Sequence, residues 1–253
     1  MLPAIAASLT LLFFVTSILY ASVGHGGASG YLAVMALMGL TPDVMKPTAL
    51  ILNILTSGIA TIKFYQAKHF DWRVFGTFAI ASFPCAFLGG KLSLPDVIYK
   101  PIVGLVLLYA AVSLLKGKRL PTETSNPQKI PLAIAILAGM GIGFLSGLTG
   151  VGGGIFLSPL LILTSWTSPK TTAGVSAAFI LVNSMAGLLG LGIKVSTVPK
   201  EIIFWGLAVS LGGWIGAQYG SQKVNNINLQ RLLGVVLIIA SWKMLSVLFS
   251  GVL

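Results

Sequence analysis

The chain has 253 residues, of which 56% are hydrophobic and 8% charged, with a mean hydropathy of +0.96. A soluble domain carries about a quarter charged residues, so this composition excludes a surface that faces water all round. The formal net charge of +11 comes from 16 Lys/Arg against 5 Asp/Glu, but the basic residues are scattered through short loops, which excludes a nucleic-acid patch or a polybasic lipid-binding tail.

The apolar runs are continuous and do not alternate with period two, so the chain reads as an all-α polytopic membrane protein. Residues 1–40 contain no Asp, Glu, Lys or Arg, the first being Asp43. A helix over Ala4–Val23 is predicted, interrupted by Gly24, Gly26, Gly27 and Gly30, with a short piece over Tyr31–Leu40. The N-terminus lacks a basic leader and its apolar run is too long for a cleaved signal, so it reads as the first span. Further spans are predicted over 47–62, 74–90 and 101–115. The hydrophilic stretch Lys116–Lys129, with Gly117, Pro121, Glu123, Asn126 and Pro127, divides the chain. It sets a first membrane repeat at 1–116, a cytoplasmic linker at 117–130 and a second repeat at 131–253.

The second half opens in the same way. Pro131–Leu148 is interrupted by Gly150, Gly152, Gly153 and Gly154 before Ile155–Thr164, and spans follow over 171–193, 202–222 and 232–250, the last broken by Lys243. Glycine in a helix interior costs about 1 kcal/mol relative to alanine, so each cluster of four is expected to leave the backbone non-helical. Gly24-His25-Gly26-Gly27 aligns with Gly150-Val151-Gly152-Gly153, Pro42 with Pro169, Asn53 with Asn183, Gly76 with Gly206, Gly89 with Gly216 and Gly104 with Gly234, at offsets of 126 to 130 residues. The expectation is two related halves of four full spans plus one short glycine-broken segment each. If each short segment turns back, the halves are parallel and the termini cytoplasmic. If it crosses, the second half is inverted and the termini are external. The Lys/Arg distribution is the same in both schemes; matching broken segments favour inverted repeats.

Unwound backbone at membrane depth is tolerated where it is buried in protein or lines a wet cavity, and its N–H groups beside a helix start suit an anion. The candidate substrate-binding residues are therefore Gly24, His25, Gly26, Gly27 and Ser29 at the first break and Thr149, Gly150, Gly152, Gly153 and Gly154 at the second. Asn53 and Asn183 are added as polar residues inside the third element of each half. The structural alternatives are close helix packing at the glycines, a neutral hydrogen-bonding His25 and helix-bridging asparagines. Lys243 reads either as a site residue or as a snorkelling side chain, and His69 as an interfacial residue. All five acidic residues fall at span ends or in loops, which disfavours a cation substrate. No metal-ligand spacing, nucleophile–base pair or phosphate-binding loop is present, so no cofactor and no catalysis are expected. The single Cys85 excludes an intrachain disulfide.

The chain resembles the sulfite exporter TauE/SafE family of membrane transporters. The resemblance rests on Gly24-His25-Gly26-Gly27 with Ala28–Leu40, Leu148-Thr149-Gly150-Val151-Gly152-Gly153-Gly154, and Pro169 leading into Ala173-Gly174-Val175-Ser176. Asp71-Trp72-Arg73 and Gly212-Gly213-Trp214-Ile215-Gly216-Ala217 also fit, whereas Lys46-Pro47-Thr48 stands where a plainer small-residue run is common. The resemblance implies transport of a small sulfur-containing or organic anion, such as sulfite, thiosulfate or a sulfonate. Together these readings predict a multi-pass protein of the cell inner (plasma) membrane whose partners are the lipid bilayer and a small anionic substrate, with no nucleic acid and with a homo-oligomer left open. An anion channel and a non-transporting accessory subunit are the alternatives.

Overall fold

The computed structural model describes residues 3–115, 130–192, 198–222, 237–239 and 241–246. The described chain is helical: α1 (Pro3–Ala21), α2 (Ala28–Leu37), α3 (Pro42–Gln66), α4 (Trp72–Lys91) and α5 (Asp96–Leu115) precede the linker, and α6 (Leu132–Thr149), α7 (Gly154–Leu163), α8 (Pro169–Leu191) and α9 (Ile202–Gln222) follow it. Six of these, α3, α4, α5, α6, α8 and α9, are long and apolar enough to cross a membrane. The predicted final span is described only at 237–239 and 241–246, where it is helical, and the linker lies outside the described residues. One boundary is corrected. Gly30 does not belong to the first break, since α2 already starts at Ala28. Its missing side chain instead lets α2 lie against Thr16 and Tyr20 of α1.

Local chemistry explains the helix ends. Asp71 accepts from the backbone N–H groups of Arg73 at 2.8 Å and Val74 at 3.1 Å, capping α4. Pro42 and Pro169 open α3 and α8, each in the first turn, where a missing N–H costs nothing. Tyr65, Phe70, Trp72 and Phe75 form a chain of edge-on and tilted ring contacts around the α3–α4 turn. Such an aromatic belt suits the membrane interface, which is also where the sequence sets His69. Large apolar side chains point outward along the spans, with Ile80 79%, Leu137 69%, Ile203 68% and Leu211 62% exposed. In water that surface would be an aggregation liability; in lipid it meets its solvent.

Glycines bring backbones together at several helix pairs, and the longest runs join α4 to α6 and α1 to α9. A Cβ at Gly139, Gly143 or Gly147 of α6 would strike the carbonyl of Phe78, Ser82 or Ala86 of α4, and one at Gly89 would strike that of Phe144. On the other side, a Cβ at Gly212 or Gly216 of α9 would strike the carbonyl of Phe14 or Ile18 of α1, and one at Gly220 that of Ser22 just after it. Residue numbers rise together in both pairs, so α4 runs parallel to α6 and α1 to α9. By contrast α3 and α8 cross antiparallel: Leu50 meets Gly187, Asn53 meets Ser184 and Phe64 meets Gly174. Small residues permit this approach where lipid gives no hydrophobic drive between helices.

The path of each short helix follows from its neighbours. α1 ends at Ala21, packed with Ala60 in the far part of α3, together with Ala177 and Ala217. The chain then drops back so that Ala28 meets Asn53, and α2 ends just before α3 begins at Pro42. The first break and α2 together return the chain to the level from which α3 starts. Phe13 of α1, Tyr31 of α2 and Trp205 of α9 pack edge to face there, with ring centroids 5.3–5.4 Å apart.

Candidate functional site

Both glycine breaks arrive at one point on the α3–α8 crossing. A Cβ on Gly26 would meet the Asn53 side chain and Ile180, and a Cβ on Gly152 would meet the same two residues and Ser184. Gly26 and Gly152 are 126 positions apart in the sequence. Positive φ angles at Gly24, Gly27, Gly150, Gly152 and Gly153, between 74° and 105°, make the turns that carry each chain to this point. That conformation is open to glycine and strained for other residues.

Asn53 is the centre of the arrangement. Fully buried, it accepts the Ala28 N–H at 3.2 Å with Oδ1, which caps the N-terminus of α2, and donates to Ser184 Oγ at 2.9 Å with Nδ2. Tyr31 Oη donates to the Gly26 carbonyl at 3.2 Å and lies 2.7 Å from Thr56 Oγ1, and Ser29 Oγ donates to Tyr20 Oη at 2.9 Å. His25 is half-buried, with Nδ1 3.1 Å from the Val23 carbonyl and its ring edge-on to Tyr20. Side chains of α1, α2 and α3 thus close over the first break.

The second break is built differently. Gly150 carries its N–H to the Ser146 carbonyl at 2.8 Å, ending α6, and Thr149 Oγ1 donates to Leu145 at 2.6 Å. Where Asn53 caps α2, the start of α7 at Gly154 faces the aliphatic Ile180. Ser146 Oγ and Asn183 Nδ2 are fully buried and without a hydrogen-bond partner. Ser146 lies beside Gly153. Each such orphan costs about 1–3 kcal/mol and is the kind of group a bound polar ligand would satisfy.

The candidate residues therefore separate. Gly26, Asn53 and Gly152 come together, with Gly27, Gly153 and Gly154 flanking them in the chain. Gly24 lies further out, against Ala173 of α8, and Gly150 lies against Lys46. Asn183, paired with Asn53 in the sequence, lies apart from this point. It accepts from Ser82 Oγ at 2.6 Å, while Ile180 occupies the place opposite Asn53 at both breaks. Lys243 does not reach the breaks: its ammonium donates to the Leu37 carbonyl at 2.7 Å, holding the C-terminus of α2 from an exposed position.

Lys46 and three tyrosines were not among the candidate site residues of the sequence. Lys46 is 6% exposed, and its ammonium donates to the carbonyls of Gly89, Gly90 and Leu92 at 3.4, 3.2 and 3.1 Å, at the C-terminal end of α4. A buried ammonium pays an effective desolvation penalty of several kcal/mol, which the negative end of a helix and its carbonyls offset. Tyr99 Oη donates to the Thr149 carbonyl at 2.9 Å, tying α5 to the second break. The sequence marked Lys46 only as part of a departure from the family pattern, at the edge of an apolar run. Nothing in the sequence marked the tyrosines, whose rings serve equally well as core.

The described carboxylates stand at helix ends. Asp43 and Asp96 stand in the first turns of α3 and α5, Asp71 caps α4, and Glu201 directly precedes α9. Among the described residues no group of three or more His, Cys, Asp or Glu could hold a metal ion.

Comparison with known proteins gives a consistent result. The family model described as sulfite exporter TauE/SafE matches residues 9–244. The probable membrane transporter protein y4hK of Sinorhizobium fredii is 39% identical over 95% of this chain and 98% of its own. The probable membrane transporter protein YunE of Bacillus subtilis is 26% identical over 79% of this chain and 80% of its own. A probable membrane transporter protein of Methanocaldococcus jannaschii is 28% identical over 72% and 70%. No solved structure matches the chain.

Proposed function

The chain belongs to the sulfite exporter TauE/SafE family, and on that premise we propose that it is a secondary transporter or facilitator of a small sulfur-containing or organic anion. The observation that carries the reading is the meeting of both glycine breaks on Asn53 and Ile180. Discontinuous helices converging near the middle of a helix crossing are how many secondary transporters present backbone donors to an anion. Ser146 adds a buried polar atom without a partner beside Gly153 of the second break. The described carboxylates stand at helix ends, which suits an anion and leaves no buried acid to hold a cation.

The halves are proposed to be inverted repeats. Gly89 against Phe144 and Gly216 against Ile18 are the same contact seen from each half. The small cluster Ala21, Ala60, Ala177 and Ala217 has its counterpart where Gly147, Gly187, Leu50 and Gly90 meet. Equivalent helices α3 and α8 run antiparallel, which needs a pseudo-two-fold axis in the membrane plane. In this scheme the linker faces the cytoplasm of a plasma-membrane protein, both termini face outward, and the substrate contacts Gly26, Gly27, Asn53, Gly152, Gly153 and Gly154. Rocking of one half against the other gives alternating access.

The test is transport by the purified protein in liposomes. Saturable uptake of radiolabelled sulfite or a sulfonate, accelerated by the same anion trapped inside, is expected. Non-saturating flux without counterflow would make the protein a channel, and no flux of any anion in a broad panel would remove the transport reading.

A further inference from the structure

A cavity of about 260 Å³ opens where α3 begins, among Pro42, Asp43, Lys46, Ser93, Tyr99 and Leu191. It is formed by the start of α3, the α4–α5 turn, the first turn of α5 and the end of α8. Its lining is graded in exposure: Asp43 and Ser93 are exposed, whereas Lys46 and Tyr99 are 6% and 3% exposed. Beyond Lys46 lies the second break, because a Cβ on Gly150 would stand 3.4 Å from Lys46 Cγ and from its carbonyl oxygen. Tyr99 closes the same wall through its hydrogen bond to Thr149. The Lys46 side chain therefore stands between the cavity and the second break.

Resting on the transport reading above, we infer that this cavity is the vestibule through which a small oxyanion reaches the second break, with Lys46 as the charge that selects it. The ammonium is fixed rather than floating, since three carbonyls at the end of α4 hold it in place. A fixed charge at the narrow end of a low-dielectric funnel concentrates ions of opposite sign. Asp43, the carboxylate on the lining, stands at the exposed mouth, where water screens it more than it screens Lys46. The register that pairs Pro42 with Pro169 sets Ala173 at the place of Lys46 in the other half, so the selecting charge belongs to one end of the pathway alone.

The experiment uses the purified full chain with Ser93→Cys in a Cys85→Ala background, labelled with an anionic and a cationic methanethiosulfonate. Lys46→Gln is expected to lower the anionic-to-cationic rate ratio about tenfold, as expected for a local field of this kind, while Lys46→Arg keeps it. Sulfoacetate is expected to slow labelling when residue 46 is Lys or Arg. Should Lys46→Gln fail to fold, that protection in the Lys46 protein carries the test. Equal ratios in all variants without protection by sulfoacetate would overturn the vestibule. Uptake separates the two ideas: flux with an unchanged KM in Lys46→Gln leaves the transporter and removes the vestibule. A charge-dependent ratio in a protein that moves no anion does the reverse.

Discussion

At the residue scale the structure turns on Asn53. One amide joins the start of α2 to α8, accepting from Ala28 and donating to Ser184, and the two breaks close around it. Replacing it by leucine leaves the Ala28 N–H without an acceptor in a buried place and pushes a branched side chain towards Gly26 and Gly152. An unmade buried bond costs about 1–3 kcal/mol. Asn53→Leu is therefore expected to lower the thermal midpoint in detergent by several degrees and to weaken substrate binding, whereas Asn183→Leu should do less to the midpoint. An equal fall for both would show that Asn53 has no special position. The sequence made Asn53 visible as a polar residue inside an apolar run, but not what it binds. Its partner in space, Ile180, is indistinguishable in the sequence from any core aliphatic residue. Identity of type drew attention to Asn183 instead.

At the element scale more was legible. Four glycines in five or seven positions cannot continue a helix cheaply, and the breaks fall where the sequence sets them, with the resumption shifted by a few residues because Gly30 is tolerated inside α2. Glycine has two uses in this chain, and the sequence does not separate them. At Gly152 it supplies a positive φ of 84°, while at Gly89 and Gly216 it removes a side chain from between two helical backbones. The second use gives a symmetrical prediction. Gly89→Leu and Gly216→Leu should each force apart a parallel helix pair, α4 from α6 and α9 from α1. Overpacking of well-packed cores costs about 1–3 kcal/mol, and collision with backbone lies at the upper end. Both variants should lose a similar amount of stability in a detergent melt; a large loss in one and none in the other would break the equivalence of the two contacts.

For the whole molecule, composition alone determines the solvent. With 8% charged residues the exposed faces carry Ile80, Leu137, Ile203 and Leu211, which only lipid covers without cost. Which way the second half runs was not legible, because the count of Lys and Arg on each side is the same in both schemes. Under the proposed repeat, an antiparallel α3–α8 pair and a short α2 that returns the chain to the start of α3 both support an odd number of crossings per half. A reporter fused to the C-terminus should accordingly be active on the outer face of the membrane. Activity on the cytoplasmic face would require parallel halves and a different path for α2 and α7.

The central claim is that the two breaks together hold one small anion, and equilibrium binding tests it most directly. Radiolabelled sulfite, or sulfoacetate if sulfite is not the ligand, is measured on the purified wild-type chain and on Gly152→Leu. The account predicts a saturable site in the wild type, absent from a Gly152→Leu protein that still inserts in the membrane and elutes as the wild type does. Unchanged affinity in Gly152→Leu would contradict it.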